Sequence, residues 1–198
     1  MPSCTAVLGV VLLTAVACAP YTVVEPTRTR IGKTYSVEPQ IRWTSLREAG
    51  RTDLWTVDGP ALEAVRFIKD VDDGESLLGR AIVGGGPGSS QIAEDKQPRF
   101  RATMTPTEIV ELVVDTWALL GASKIQATGL RPVKFGAADG FRFDLAFVSA
   151  DGVEGLAIGA GVVIKNRLQL ILYSGTRLHY FDKHRPAVDR LIESIRLE

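Results

Sequence analysis

Between Arg131 and Ser174 four β-rich runs are separated by short turn signals, and a chain written this way has few choices beyond an antiparallel meander. The runs are Arg131 to Phe135, Phe141 to Ser149, Val153 to Ile164 and Leu168 to Ser174, with turns at Ala138-Asp139-Gly140, Asp151-Gly152 and Lys165-Asn166. Gly155, Gly159 and Gly161 fall inside the third run. No helix pattern follows Gly159-Ala160-Gly161, as a dinucleotide-binding turn would require, so these glycines read as bulges or points of close packing.

Two helices frame the meander. Thr105-Pro106-Thr107-Glu108 places Thr at the cap, Pro at the first helical position and Glu three residues on, so two otherwise unpaired backbone donors are satisfied reciprocally. That helix is expected from Pro106 to about Leu120, with Gly121 as its left-handed terminator and Ile109, Leu112, Val113 and Trp117 on its apolar face. A strand is expected just before it, where Phe100, Ala102 and Met104 alternate with polar residues. The last helix is expected to start near Asp182 as its cap, with Pro186 in the first turn and Val188, Leu191, Ile192 and Ile195 on one stripe.

Upstream, Tyr35, Val37, Ile41 and Trp43 suit an edge strand bent at Pro39. Leu54-Trp55-Thr56 and Leu62 to Ile68 suit a hairpin around Asp58-Gly59-Pro60. Together these elements give an α+β class: a mostly antiparallel sheet covered by helices.

Composition narrows the function. In 198 residues, 23 Lys+Arg balance 23 Asp+Glu, which removes the electrostatic footprint of a nucleic-acid binder. The 45% of hydrophobic residues suffices for one core and one domain. With 2 Cys and 2 His, a zinc site or a Cys/His nucleophile pair would be built from almost nothing.

The local candidates for chemistry are weak. Asp70-Val71-Asp72-Asp73-Gly74-Glu75 is acidic, but counted from Asp70 the Gly stands at the fifth position and Ala81 at the twelfth, so the calcium-loop spacing fails and a solvated turn is expected. Gly84-Gly85-Gly86-Pro87-Gly88-Ser89-Ser90 lacks the Lys that reaches nucleotide phosphates and reads as a mobile loop. His179, Asp182 and His184 meet near a strand-helix corner without a common ligand direction, and no metal site or cofactor is expected; His184 is expected exposed, with His179 packed at the sheet edge. No serine lies in a nucleophile elbow, and the chain is expected not to be an enzyme. Trp43 and Trp55 read first as core aromatics. If the protein holds a small ligand, Trp43, Trp55, His179 and Tyr180 are the residues expected to line its pocket.

The amino terminus is the most informative segment. No charge precedes Glu25, and the apolar run Ala6 to Ala17 is 12 residues, too short for the ~20 that cross a bilayer as a helix. Its small-residue end suits signal-peptide cleavage. Ala15-Val16-Ala17-Cys18 resembles a bacterial lipobox, although Ala15 stands where Leu is usual and no Lys or Arg precedes the run. The resemblance implies cleavage before Cys18, a mature chain of 181 residues and a diacylated, palmitate-bearing Cys18 as the membrane anchor. Ordinary secretory cleavage and an uncleaved anchor remain the alternatives. Ala19 lacks the Asp of inner-membrane retention, which implies the outer membrane with the domain facing the periplasm. The expected layout is a signal peptide at 1–17, a flexible tether at 18–32 and one domain at 33–198.

Over about residues 33 to 198 the element order resembles the PsbP-like superfamily. The residues that carry the resemblance are Phe100-Arg101-Ala102-Thr103-Met104-Thr105-Pro106, the meander, and the closing Leu191-Ile192-Glu193-Ser194-Ile195-Arg196. It implies an α/β/α sandwich and a non-catalytic role in assembly or binding. The function expected is therefore a membrane-anchored envelope lipoprotein that engages a protein partner, and alternatively a small-ligand carrier or a hydrolase.

Overall fold

The computed structural model describes residues 21–47, 52–78 and 94–198. The meander forms as four long strands: β7 (Ser123–Phe135), β8 (Ala138–Val148), β9 (Glu154–Ile164) and β10 (Arg167–Thr176). Lys165 and Asn166 both take positive φ, 51° and 61°, which matches the right-handed twist of the strands they join. The first turn falls at Gly136-Ala137 rather than 138–140, and β7 begins eight residues earlier than its apolar run because most of its side chains face solvent and carry no hydrophobic signal.

Four further strands extend this sheet: β1 (Tyr21–Val24), β4 (Trp43–Arg47), β5 (Thr52–Thr56) and β6 (Glu63–Val71). The order is β1-β4-β5-β6-β10-β9-β8-β7, and every pairing is antiparallel. The β5–β6 hairpin forms as its turn residues predict. A second, three-stranded sheet is made by β2 (Thr29–Ile31), β3 (Tyr35–Val37) and β11 (Arg196–Leu197).

The two faces of the large sheet are covered separately. Helix α2 (Tyr180–Glu193) and the small sheet enclose one core containing Trp43, Trp55, Phe67, Phe135, Tyr173 and Leu191. Helix α1 (Pro106–Leu119) encloses the other, with Ile109, Val113, Phe100, Phe143, Leu170 and Leu172. The capping box closes as expected: Glu108 N donates to Thr105 Oγ1 and Thr105 N donates to Glu108 Oε2 at 2.7 Å. Gly121 terminates the helix at φ 90°.

Several expectations are corrected. Residues 21–24 and 29–31, assigned above to a tether, are strands: β1 pairs with β4, Ile31 is buried, and Arg28 Nη1 donates to Ser194 O across the domain. Their order comes from partners distant in sequence. Tyr35 and Trp43 belong to different sheets rather than one bent strand. No strand forms at 99–104. There Phe100 N donates to Glu75 O, Gly74 N to Phe100 O and Ala102 N to Asp73 Oδ1, so the acidic cluster organises a turn-rich segment around buried Phe100. Helix α2 starts at Tyr180, two residues early, and its cap residue His179 makes no capping bond; Asp182 lies inside the helix. The glycine-rich segment at 84–90, Cys18 and the signal segment lie outside the described residues.

Candidate functional site

Alternation along β6 sends Glu63, Val65 and Phe67 toward the α2 side and Arg66 and Ile68 toward the α1 side. A polar cluster toward α2 and a cavity toward α1 result, with Glu63 bordering both.

The cluster is built from the β5–β6 hairpin and α2. Glu63 is 1% exposed, and its Oε1 accepts from Thr56 Oγ1 at 2.6 Å, Val57 N at 2.5 Å and Asp58 N at 3.0 Å. The carboxylate thereby holds the hairpin loop in shape, and its other oxygen, Oε2, is buried with no hydrogen-bond partner. Asp58, carried by that loop, meets His184 Nε2 at 2.6 Å and the Lys183 ammonium at 2.7 Å. The His184 and Lys183 hydrogen bonds hold the Asp58 carboxyl below its ordinary value. Beside it, burial and then the charges of Glu63, Asp182 and Asp58 push the Tyr173 phenol up, and its hydroxyl donates to the carbonyls of Tyr180 and Phe181. Among the described residues, Asp58, Glu63 and His184 are the group that brings three ligand-type atoms together, all within 4.8 Å of one another.

The residues expected at a site are dispersed. Trp43 and Trp55 are buried in the α2-side core, with the Trp43 ring 6.0 Å from that of His184. The two histidines exchange places relative to expectation: His179 is exposed, and His184 is 5% exposed beneath the hairpin. Tyr180 is half-buried against His179 and under the Lys183 ammonium. Asp58 and Glu63 were missed. The signal for Glu63 lay in its phase, since it shares the two-residue period of buried Val65 and Phe67.

The cavity, about 740 Å³, lies between the carboxyl-terminal half of α1 and the sheet. Ile68, Leu172, Trp117 and Phe147 supply apolar walls, while Arg66 and Ser174 meet at 3.4 Å on the sheet side. Trp117 and Phe147 pack edge to face at 4.8 Å. None of Trp43, Trp55, His179 and Tyr180 lines it.

No protein-family model matches the chain, and no curated protein sequence does. Among solved structures, cyanobacterial PsbP (CyanoP) from Synechocystis sp. PCC 6803 superposes with a TM-score of 0.51 at 11% identity, covering 94% of this chain and 98% of that one. The fold is PsbP-like. At that identity the likeness speaks to architecture alone. LpqN of Mycobacterium tuberculosis, described as involved in cell envelope biogenesis, matches with a TM-score of 0.38 at 9% identity over 92% of this chain and 86% of that one, a superposition too loose to carry an argument. Among the described residues this PsbP-like domain is dominated by its large antiparallel sheet, with two α-helices, rather than being an evenly layered sandwich. Among the described residues no helix is long and apolar enough to cross a membrane.

Proposed function

We propose that the protein is a non-catalytic lipoprotein of the bacterial cell envelope, anchored through lipid on Cys18 in the outer membrane and facing the periplasm, whose PsbP-like domain carries a small amphipathic ligand. The anchor rests on the apolar run ending in Ala15-Val16-Ala17-Cys18. The carrier role rests on one observation, the cavity of about 740 Å³ beside α1, which falls within the ~300–1,000 Å³ of small-molecule sites. Its apolar walls suit a hydrocarbon body, and Arg66, Ser174 and Thr176 suit a polar head.

Trp117 reports on this cavity, because Trp43 and Trp55 are buried on the other side of the sheet. A brominated fatty acid, which quenches tryptophan on contact, is expected to quench the full chain saturably and to lose that effect in Trp117→Phe. Unsaturable quenching, or quenching unchanged by Trp117→Phe, contradicts the carrier reading.

Docking of an envelope protein is the second reading. The observation that favours it is the edge strand β1, where Tyr21 and Val23 are 58% and 57% exposed and project from one face. The opposite edge, β7, carries Lys124, Arg131, Pro132 and Lys134 and two register breaks, features that discourage strand addition there.

A further inference from the structure

Of the Asp58–Glu63–His184 cluster only Glu63 also borders the cavity; Asp58 and His184 do not line it, and His184 sits on the α2 side of the sheet. We propose that it binds one divalent transition-metal ion of the Zn²⁺ or Mn²⁺ kind, through one imidazole nitrogen and two carboxylates, in place of the metal-free chain expected from the sequence.

The donor set comes first. One nitrogen and two carboxylate oxygens form a borderline-hard set that suits Zn²⁺, Mn²⁺ or Fe²⁺ and leaves positions for water. Around one ion with bonds of ~2.0–2.1 Å, ligand atoms stand no more than roughly 4.2 Å apart. The three groups lie within 4.8 Å of one another, so an ion would have to draw them slightly closer.

The second observation is independent of the clustering. Glu63 is 99% buried, yet its Oε2 has no hydrogen-bond partner, while Oε1 accepts from Thr56 Oγ1, Val57 N and Asp58 N. A buried carboxylate oxygen left without a donor calls for a partner, and a cation bound to the cluster would supply it. The hairpin loop fixes Glu63 from one side and α2 fixes His184 from the other, so two ligands are positioned before an ion arrives. The Lys183 ammonium, 40% exposed, donates to both Asp58 oxygens, at 2.9 and 2.7 Å, so a metal ion would compete with it for that carboxylate.

The test uses the full chain without a polyhistidine tag, titrated with Zn²⁺ and Mn²⁺ by calorimetry and with Co²⁺ by its visible absorption. The expected result is one ion per chain, with Asp58→Asn and His184→Gln weakening the tighter of the two ions by at least about tenfold, the low end of what losing even a supporting group around a metal costs. Lys183→Met is expected to bind at least as tightly as the parent, which a purely structural Asp58–Lys183 pair would not produce. Circular dichroism verifies folding of each variant. Should His184→Gln unfold, Asp58→Asn decides, since it alters the solvent-facing side of the cluster and leaves the Glu63 latch intact. Failure of Zn²⁺, Mn²⁺ and Co²⁺ all to bind stoichiometrically, or equal affinity in Asp58→Asn, overturns the proposal. Because its readout is the ion alone, its failure leaves the fatty-acid result at Trp117 untouched.

Discussion

Phe143 lies across its strand partner Gly159 so closely that a Cβ on Gly159 would stand 2.2 Å from the ring's Cζ. The relation repeats along the same pair of strands, with Phe147 over Gly155 and Phe141 over Gly161. The β8–β9 ladder runs without a register shift, so these glycines serve close packing and are not bulges.

Substitution at this ladder is therefore expected to be costly. Gly159→Ala overpacks a buried ring and should destabilise by about 1–3 kcal/mol, and Phe143→Ala by about 3–5 kcal/mol through the cavity it leaves. In Gly159→Ala/Phe143→Leu the loss should be smaller than the sum of the singles, because the smaller side chain makes room for the added methyl. Denaturant melts of the parent, Gly159→Ala, Phe143→Leu and the double variant measure this directly, and strict additivity would contradict the contact.

Thr105 caps α1 through a reciprocal pair with Glu108, whose carboxyl is held below its ordinary value by the Thr105 backbone N–H and then its hydroxyl. Thr105→Ala should cost about 1 kcal/mol, measurable as a lowered denaturation midpoint with an unchanged slope.

Much of this was legible beforehand, for identifiable reasons. The Thr105–Glu108 box and the Lys165-Asn166 turn are local devices whose energetics are complete within a few residues, and both appear where expected. Strands β1 and β2 were read as tether because Pro26, Arg28 and Arg30 give no apolar period; their order is supplied by β4, β3 and Ser194, far along the chain. His184 was misplaced although it shares a helical stripe with Val188, Leu191 and Ile195, the spacing that announces burial. Starting α2 at Asp182 made His184 a first-turn residue and hid that stripe. The cavity had no sequence signal, since it depends on where α1 sits relative to Ile68 and Leu172.

Glu63 should be indispensable to the hairpin. Glu63→Ala strands the Val57 and Asp58 amides without their common acceptor, leaving the Thr56 hydroxyl only the backbone carbonyl of residue 63, and should destabilise by at least about 2 kcal/mol. Urea unfolding gives the value, and hydrogen exchange at the Val57 and Asp58 amides is expected to accelerate more than exchange in α1.

The Asp58 pair predicts a particular response to acid. Its carboxyl is held low by the His184 and Lys183 hydrogen bonds, so the unfolded chain takes up that proton first, starting near the ordinary pKa of about 3.9. The pair's stabilisation is thus fully present above that value and lost as pH falls through the lower folded one. Asp58→Asn should be less stable than the parent at pH 6, and the gap should narrow below about pH 4. A gap that widens on acidification contradicts the assignment.

Native mass spectrometry of the protein, extracted gently from its host membrane, tests the central claim most directly, because it reads the anchor and the cargo together. A chain beginning at an acylated Cys18 and carrying one small amphipathic molecule is the predicted result. An unacylated chain, or an acylated one whose only companion is another protein, would contradict the lipid-anchored carrier.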